Sequence, residues 1–278
     1  MNQVSENLQK IIISTAVAPQ RGEARDASEM VNELLLGETA QLLETDETGR
    51  WLKVRADHDG YEGWVSVAQA FVYEREREGA GTASETGRFS INNTVRNQRT
   101  GMLLRRENGN LLRVPLGACL PQEENGTIPF IFGNCRIENP GVPLPADLMQ
   151  AAKNFAGIPY LWGGRSDFGI DCSGLVQQWG FLCGIPLPRD ASMQIKAYPL
   201  ISKDLKDAQA ADLVYFSFDG IRIVHVGLYC GDGLLLHASG DVRIECIDSD
   251  KRNATPFMFN ERLAGAVAGI QRPGFPYS

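Results

Sequence analysis

A cysteine that opens a helix and two histidines on neighbouring strands are the residues of this sequence best equipped for chemistry. Cys172 follows Asp171, a good N-cap type, and precedes Leu175, Val176, Trp179 and Leu182 at helical intervals, until Gly184 and Pro186 stop the run. A helix N-terminus carries partial positive charge, which favours thiolate over thiol. Cysteines so placed can fall from about 8.5 to roughly 3.5–7.5 in pKa. Gly174, just inside the helix, is expected to leave room for a substrate backbone.

The sequence has three histidines. His225 lies in the run Ile223 to Tyr229, where alternation puts Val224, Val226 and Leu228 on one face and His225, Gly227 and Tyr229 on the other. His237 lies in the run Leu234 to Gly240. Gly231-Asp232-Gly233 joins the two runs as a turn, which makes them adjacent antiparallel strands. In a hairpin centred on Asp232, Gly227 stands opposite His237, so His225 is a diagonal neighbour on the same face, or a direct one if the turn slips slightly. One imidazole would serve as general base and the other would orient it, completing a nucleophile–base–orienter set. The same three residues could bind zinc, but the close ligand pairs usual for that metal are absent; no metal or cofactor is expected. His58 lies in a turn and reads as solvated.

Three blocks position these groups. Short strand-like runs between Ile11 and Tyr73 surround the hairpin turn Asp57-His58-Asp59-Gly60, as in a small barrel. Glu74 to Thr86, charged and then Gly-rich, reads as a linker. A second β block runs from about Gly87 to Asn139. The third opens with a helix-like stretch, Leu144 to Phe155, continues through the Cys172 helix, and becomes β-rich over Ala211–Phe216, Ile221–Cys230, Gly233–Ser239, Val242–Ile247 and Leu263–Ile270. Helices first and strands later, without alternation, mean an α+β fold. The expected domains are 1–76, 77–140 and 141–278.

Composition narrows the function classes. With 278 residues, 43% apolar and 22% charged, the chain can bury real cores. A net charge of -7 and scattered basic residues argue against a nucleic-acid partner. No run approaches the ~18 apolar residues of a membrane span. The polar start, Met1 to Lys10, lacks the pattern of a signal peptide, so a cytoplasmic location is expected; the protein is also expected to be a monomer. Of six cysteines, none in a CxxC pair, Cys119, Cys135, Cys183, Cys230 and Cys246 read as buried small apolar residues.

Several stretches between Pro143 and Pro273 resemble the NlpC/P60 family of cell-wall cysteine peptidases. They are Tyr160-Leu161-Trp162-Gly163-Gly164, Asp171-Cys172-Ser173-Gly174-Leu175-Val176, Pro188-Arg189-Asp190-Ala191, Asp212-Leu213-Val214-Tyr215-Phe216, His225-Val226-Gly227-Leu228-Tyr229 and His237-Ala238-Ser239-Gly240. Ala211 departs from the family, which usually has Gly there. Trp51-Leu52-Lys53-Val54 and Asp59-Gly60-Tyr61-Glu62-Gly63-Trp64-Val65 resemble a bacterial SH3-like domain. The resemblance implies a papain-like catalytic domain preceded by two small all-β SH3-like barrels, the second degenerate.

This organisation is similar to that of γ-D-glutamyl-L-diamino acid endopeptidases, which recycle murein peptides. The resemblance implies attack by Cys172 on the γ-amide, with His225 as base, His237 holding it and the Tyr160 hydroxyl near the thiolate or oxyanion. It implies a substrate with a free N-terminal L-Ala, L-Ala-γ-D-Glu-diamino acid. Asp171, Ser173, Asp190 and Ala191 would line its pocket, and Glu29 and Tyr61 of the first block would contact it. Two other readings carry forward: a cell-wall amidase or acyltransferase of the same fold, and a non-catalytic wall-binding protein.

Overall fold

A computed structural model describes residues 9–74, 94–145 and 148–275. The expected linker, Glu74 to Thr86, lies after Glu74 outside the described residues. The chain divides into two units, Met1–Pro143 and Leu144–Ser278.

In the first unit, strands Gln9–Ile13, Val17–Arg21, Met30–Leu35, Thr39–Thr45, Trp51–Ala56, Glu62–Ser66 and Ala70–Glu74 form one antiparallel sheet. Alternation sends Leu52, Val54, Ala56 and Val65 inward, where they pack with Ile11, Ile13, Ala18, Leu34 and Ala40. His58 differs from its expected solvation. Its ring is largely covered, with Nδ1 3.7 Å from Glu38 and Nε2 3.3 Å from Asp59. Strands Met102–Arg106, Leu111–Val114, Thr127–Phe130 and Gly133–Asn139 form a second antiparallel sheet. Leu36 of the first β block joins the core of the second, among Leu104, Leu112, Ile128 and Phe130. The junction requires glycine at 37, where φ is +76° and a Cβ would lie 1.8 Å from the Cys119 carbonyl oxygen.

Among its described residues the second unit holds four α-helices: α1 (Leu148–Phe155), α2 (Cys172–Leu182), α3 (Ala191–Gln194) and α4 (Glu261–Ala264). A six-stranded antiparallel sheet runs in the order Leu200–Ser202, Val267–Gln271, Leu213–Phe216, His225–Gly231, Leu234–Ser239, Asp241–Cys246. This is the α+β arrangement expected. The last predicted strand, Leu263–Ile270, is corrected at its start. Asn260 caps α4 by accepting from the Leu263 N–H, so the strand begins only at Val267. Helix α1 is shorter than predicted and buries Leu148, Ala151, Ala152 and Phe155 at helical spacing. Helix α2 is buried from Cys172 to Gly180, and its Trp179 ring lies 5.9 Å from that of Phe155. A helix covered on every face is held rigidly, which suits one that presents a reactive group at its end. No helix among the described residues is long and apolar enough to cross a membrane.

Candidate active site

Asp171 builds the start of α2. Its backbone is extended (φ −95°, ψ 176°) and its Oδ1 accepts the Gly174 N–H at 2.7 Å. The same carboxylate accepts from the Gly163 N–H at 2.9 Å and the Ser173 hydroxyl at 3.2 Å. Arg189 grips it with two bonds, Nη1 to Oδ1 at 3.0 Å and Nη2 to Oδ2 at 2.6 Å, and also donates to Ser173 Oγ at 2.9 Å. Arg189 was quoted in a motif but given no role by sequence; its side chain is only 1% exposed. With five donors on one carboxylate, a substrate ammonium at Asp171 would be a sixth partner.

Cys172 is only 8% exposed. Burial pushes its thiol up to about 12, and the Asp171 carboxylate adds to the rise. Hydrogen bonds from the Val226 and Ser173 backbone N–H groups and the charge of Arg189 oppose it without prevailing. This runs opposite to the lowered pKa expected from the helix end alone, because dry surroundings and a cap carboxylate both favour the thiol. Gly174 also has a different reason to be glycine. A Cβ there would lie 2.3 Å from the Gly164 carbonyl oxygen, so the missing side chain admits the preceding loop rather than a substrate.

The Val226 contact lays the His225 strand across the start of α2. Strand pairing sets Leu228 opposite Leu236 and Tyr229 opposite Leu235, which leaves His225 diagonal to His237 as the hairpin predicts. His225 Nε2 and His237 Nδ1 are 2.9 Å apart and the two rings stand at 89°. Gly227, between His225 and Tyr229, leaves space that Leu235 fills; a Cβ would come within 2.8 Å of that side chain. Burial pushes the His225 imidazole down to about 3, and His237 pushes the same way against the opposing charge of Glu245.

Behind His237 stand two residues that sequence reading missed. His237 Nε2 lies 3.0 Å from Glu245 Oε2, and the Asn260 side-chain amide donates to that oxygen at 2.5 Å. Glu245 is diagonal to His237 because His237 pairs with Arg243 in the next strand. The hairpin about Gly240 carried that signal, since the offset rule that joined His225 to His237 applies again.

The other expected residues fall in both units. Tyr160 is tied through its backbone N–H to the Gly240 carbonyl. Burial, then the charges of Cys172 and Asp171, push its hydroxyl up to about 12, so it stays a donor. Ser173 and Ala191 are buried, and Asp190 caps α3 in an extended conformation without a side-chain cap bond. Glu29 and Tyr61 belong to the first unit, Glu29 exposed and Tyr61 partly buried. None of the six cysteines is in a disulfide, and Cys119 and Cys183 are only partly buried, against the expectation for those two.

Comparison with known proteins bears on this geometry. The profile described as NlpC/P60 family matches residues 157–262, and that described as bacterial dipeptidyl-peptidase Sh3 domain matches residues 21–69. The chain is 32% identical over 227 residues to a γ-D-glutamyl-L-lysine dipeptidyl-peptidase of Bacillus subtilis, covering 74% of this chain and 71% of that one. It is 27% identical over 235 residues to the protein of the same name from Bacillus cereus, covering 77% and 68%. A crystal structure of an NlpC/P60 family protein from Bacillus cereus has the same fold, with a TM-score of 0.73 at 22% identity over 96% of this chain and 100% of that one.

Proposed function

As the chain belongs to the NlpC/P60 family of cysteine peptidases, we propose that it hydrolyses the γ-D-glutamyl–L-diamino acid bond of murein peptides with a free N-terminal L-Ala, in cell-wall peptide recycling. The observation that carries this reading is the meeting of Cys172, at the start of a buried helix, with a strand whose His225 is already held through Nε2 by His237.

Engagement of Nε2 leaves Nδ1 as the nitrogen of His225 available to the thiol. The buried thiol and imidazole favour a neutral resting pair, so the proton leaves sulfur as sulfur attacks. Cys172 Sγ bonds to the γ-carbonyl carbon of D-Glu while His225 Nδ1 takes the thiol proton. The oxyanion that forms is met by the Tyr160 hydroxyl, which remains protonated at neutral pH. His225 returns the proton to the α-amine of the departing diamino acid, leaving a thioester. Water, losing a proton to His225, adds to the thioester carbonyl; the C–S bond breaks, L-Ala-γ-D-Glu is released, and His225 returns the proton to the Cys172 sulfur. Ser173, Asp190 and Ala191 line the substrate pocket. Asp171 supplies its negative wall while it keeps Arg189 and the helix cap in place.

Mass spectrometry of L-Ala-γ-D-Glu-diamino acid digests tests the proposal. Wild-type protein should release L-Ala-γ-D-Glu, Cys172→Ala should release none, and N-acetylated peptide should be spared. Turnover by Cys172→Ala would end the mechanism, and cleavage of the acetylated peptide at the same rate would end amine recognition.

A further inference from the structure

Three consecutive strands carry His225, His237 and Glu245 along one diagonal, each linked to the next by one hydrogen bond, at 2.9 and 3.0 Å. A histidine pair is ambiguous alone, because each neutral ring can place its proton on either nitrogen. An ionised carboxylate only accepts, so it removes the ambiguity. Facing Glu245, His237 Nε2 must carry the proton, and its Nδ1 then offers a lone pair. Facing that lone pair, His225 Nε2 must carry a proton, and its Nδ1 is left bare. Asn260 donates through Nδ2 to the same carboxylate oxygen while its Oδ1 caps α4. The orientation of Glu245 is thus fixed by a helix terminus.

We propose that Glu245 is a positioning residue that sets the protons of the His237–His225 pair so that the bare Nδ1 of His225 faces Cys172. The inference rests on the proposed Cys172 chemistry. When His225 takes the thiol proton, its Nε2–H still donates to His237 and no second proton moves. The Glu245 charge then lies one ring away from the new imidazolium and stabilises it. Other charges acting on His225 are Arg262, which opposes the imidazolium, and Asp171, which favours it. Glu245 itself is faced by His237, Asn260 and Arg243, and its carboxyl is held below the usual range first by the His237 hydrogen bond. It therefore stays ionised at neutral pH.

Nitrogen-15 NMR of histidine-labelled wild-type protein reads the tautomers without substrate, so its outcome is separable from that of the peptidase assay. Protons on Nε2 of both His225 and His237 are expected; a proton on Nδ1 of His237 overturns the proposal. Glu245→Ala should lower kcat by about 10–100-fold, as loss of a ligand-orienting partner commonly does, with KM within about threefold. Glu245→Gln, which keeps an acceptor of the same size, should lose less. Removing the charge also disfavours the imidazolium, so the acid limb of kcat should move to lower pH in Glu245→Gln. A purely structural role would scale kcat equally at every pH, and that result, or unchanged kcat, would also overturn it.

Discussion

Gly174 offers the sharpest test of how tightly the start of α2 is held. A Cβ added there would sit 2.3 Å from the Gly164 carbonyl oxygen, 3.1 Å from Asp171 Oδ1 and 3.4 Å from Arg165 Cγ. Carbon and carbonyl oxygen meet comfortably at about 3.3 Å, so Gly174→Ala demands a shift of about 1 Å. The loop has little freedom to supply it, because Gly163 and Gly164 are tied to Asp171 by hydrogen bonds at 2.9 and 3.2 Å. The helix start must move too, and Cys172 with it. Alanine gains about 1 kcal/mol in helix propensity, while overpacking a dense site costs about 1–3 kcal/mol. The net loss of stability is then at most about 2 kcal/mol, and the protein should still fold. Catalysis should suffer far more, since about 1 Å of misplacement can cost on the order of 100-fold. The expected result is a fall of about 100-fold in kcat/KM on the tripeptide with a modest drop in melting temperature. Gly265→Ala is the control, because φ there is −82° and the nearest contact of a new Cβ is 3.6 Å. Activity of Gly174→Ala within about threefold of wild type would refute the reasoning.

Arg189→Met leaves the buried Asp171 carboxylate without its cation and should destabilise the catalytic unit by about 3–5 kcal/mol, read as faster hydrogen exchange of the α2 amides. The double variant Asp171→Asn, Arg189→Met should recover part of that loss; equal exchange in wild type and Arg189→Met would dismiss the pair's role. With its thiol pushed up to about 12, Cys172 should be alkylated by iodoacetamide about tenfold faster for each unit of pH between 7 and 9. Peptide mapping separates it from the partly buried Cys119 and Cys183, and a pH-independent rate would reveal a thiolate–imidazolium pair instead. His225 is depressed to about 3 from the model-peptide value of 6.5, so the native state binds fewer protons than the unfolded chain in that window. Its contribution to stability is complete above about 6.5 and is lost as pH falls toward 3. The stability difference between wild type and His225→Asn should therefore shrink on acidification, which urea unfolding at pH 7 and pH 4.5 can measure.

Much of the site was legible because it depends on local rules. Asp171 and Cys172 announce a cap and a helix start, and the Gly231-Asp232-Gly233 turn fixes the strand register well enough to make His225 and His237 neighbours. Alternation likewise located the sheet of the first unit, with Leu52, Val54 and Val65 inside it. What escaped depends on environment. The sign of the Cys172 shift is set by how completely the loop and sheet exclude water, and no spacing of residues reports that. His58 misled for the same reason: its turn sequence is polar, yet the fold brings it beside the buried carboxylate of Glu38.

Arg189 and Glu245 were missed in a more instructive way. Each is a charged residue that a sequence reader assigns to solvent by default, and each is buried against polar partners that make burial tolerable, Asp171 and Ser173 for Arg189, His237 and Asn260 for Glu245. Ala211 joins them as a departure with a visible backbone reason. Its φ is +73°, a region that suits glycine, and the residue persists there with its N–H bonded to the Tyr229 carbonyl at 2.8 Å. Of the three, Arg189 grips the cap beside the sulfur and Glu245 stands behind the imidazoles. The reacting atoms are therefore specified by short motifs, while their charge state and aim are set by residues whose partners lie elsewhere in the chain. That division explains why motif matching finds the nucleophile readily but says nothing of which imidazole nitrogen it meets.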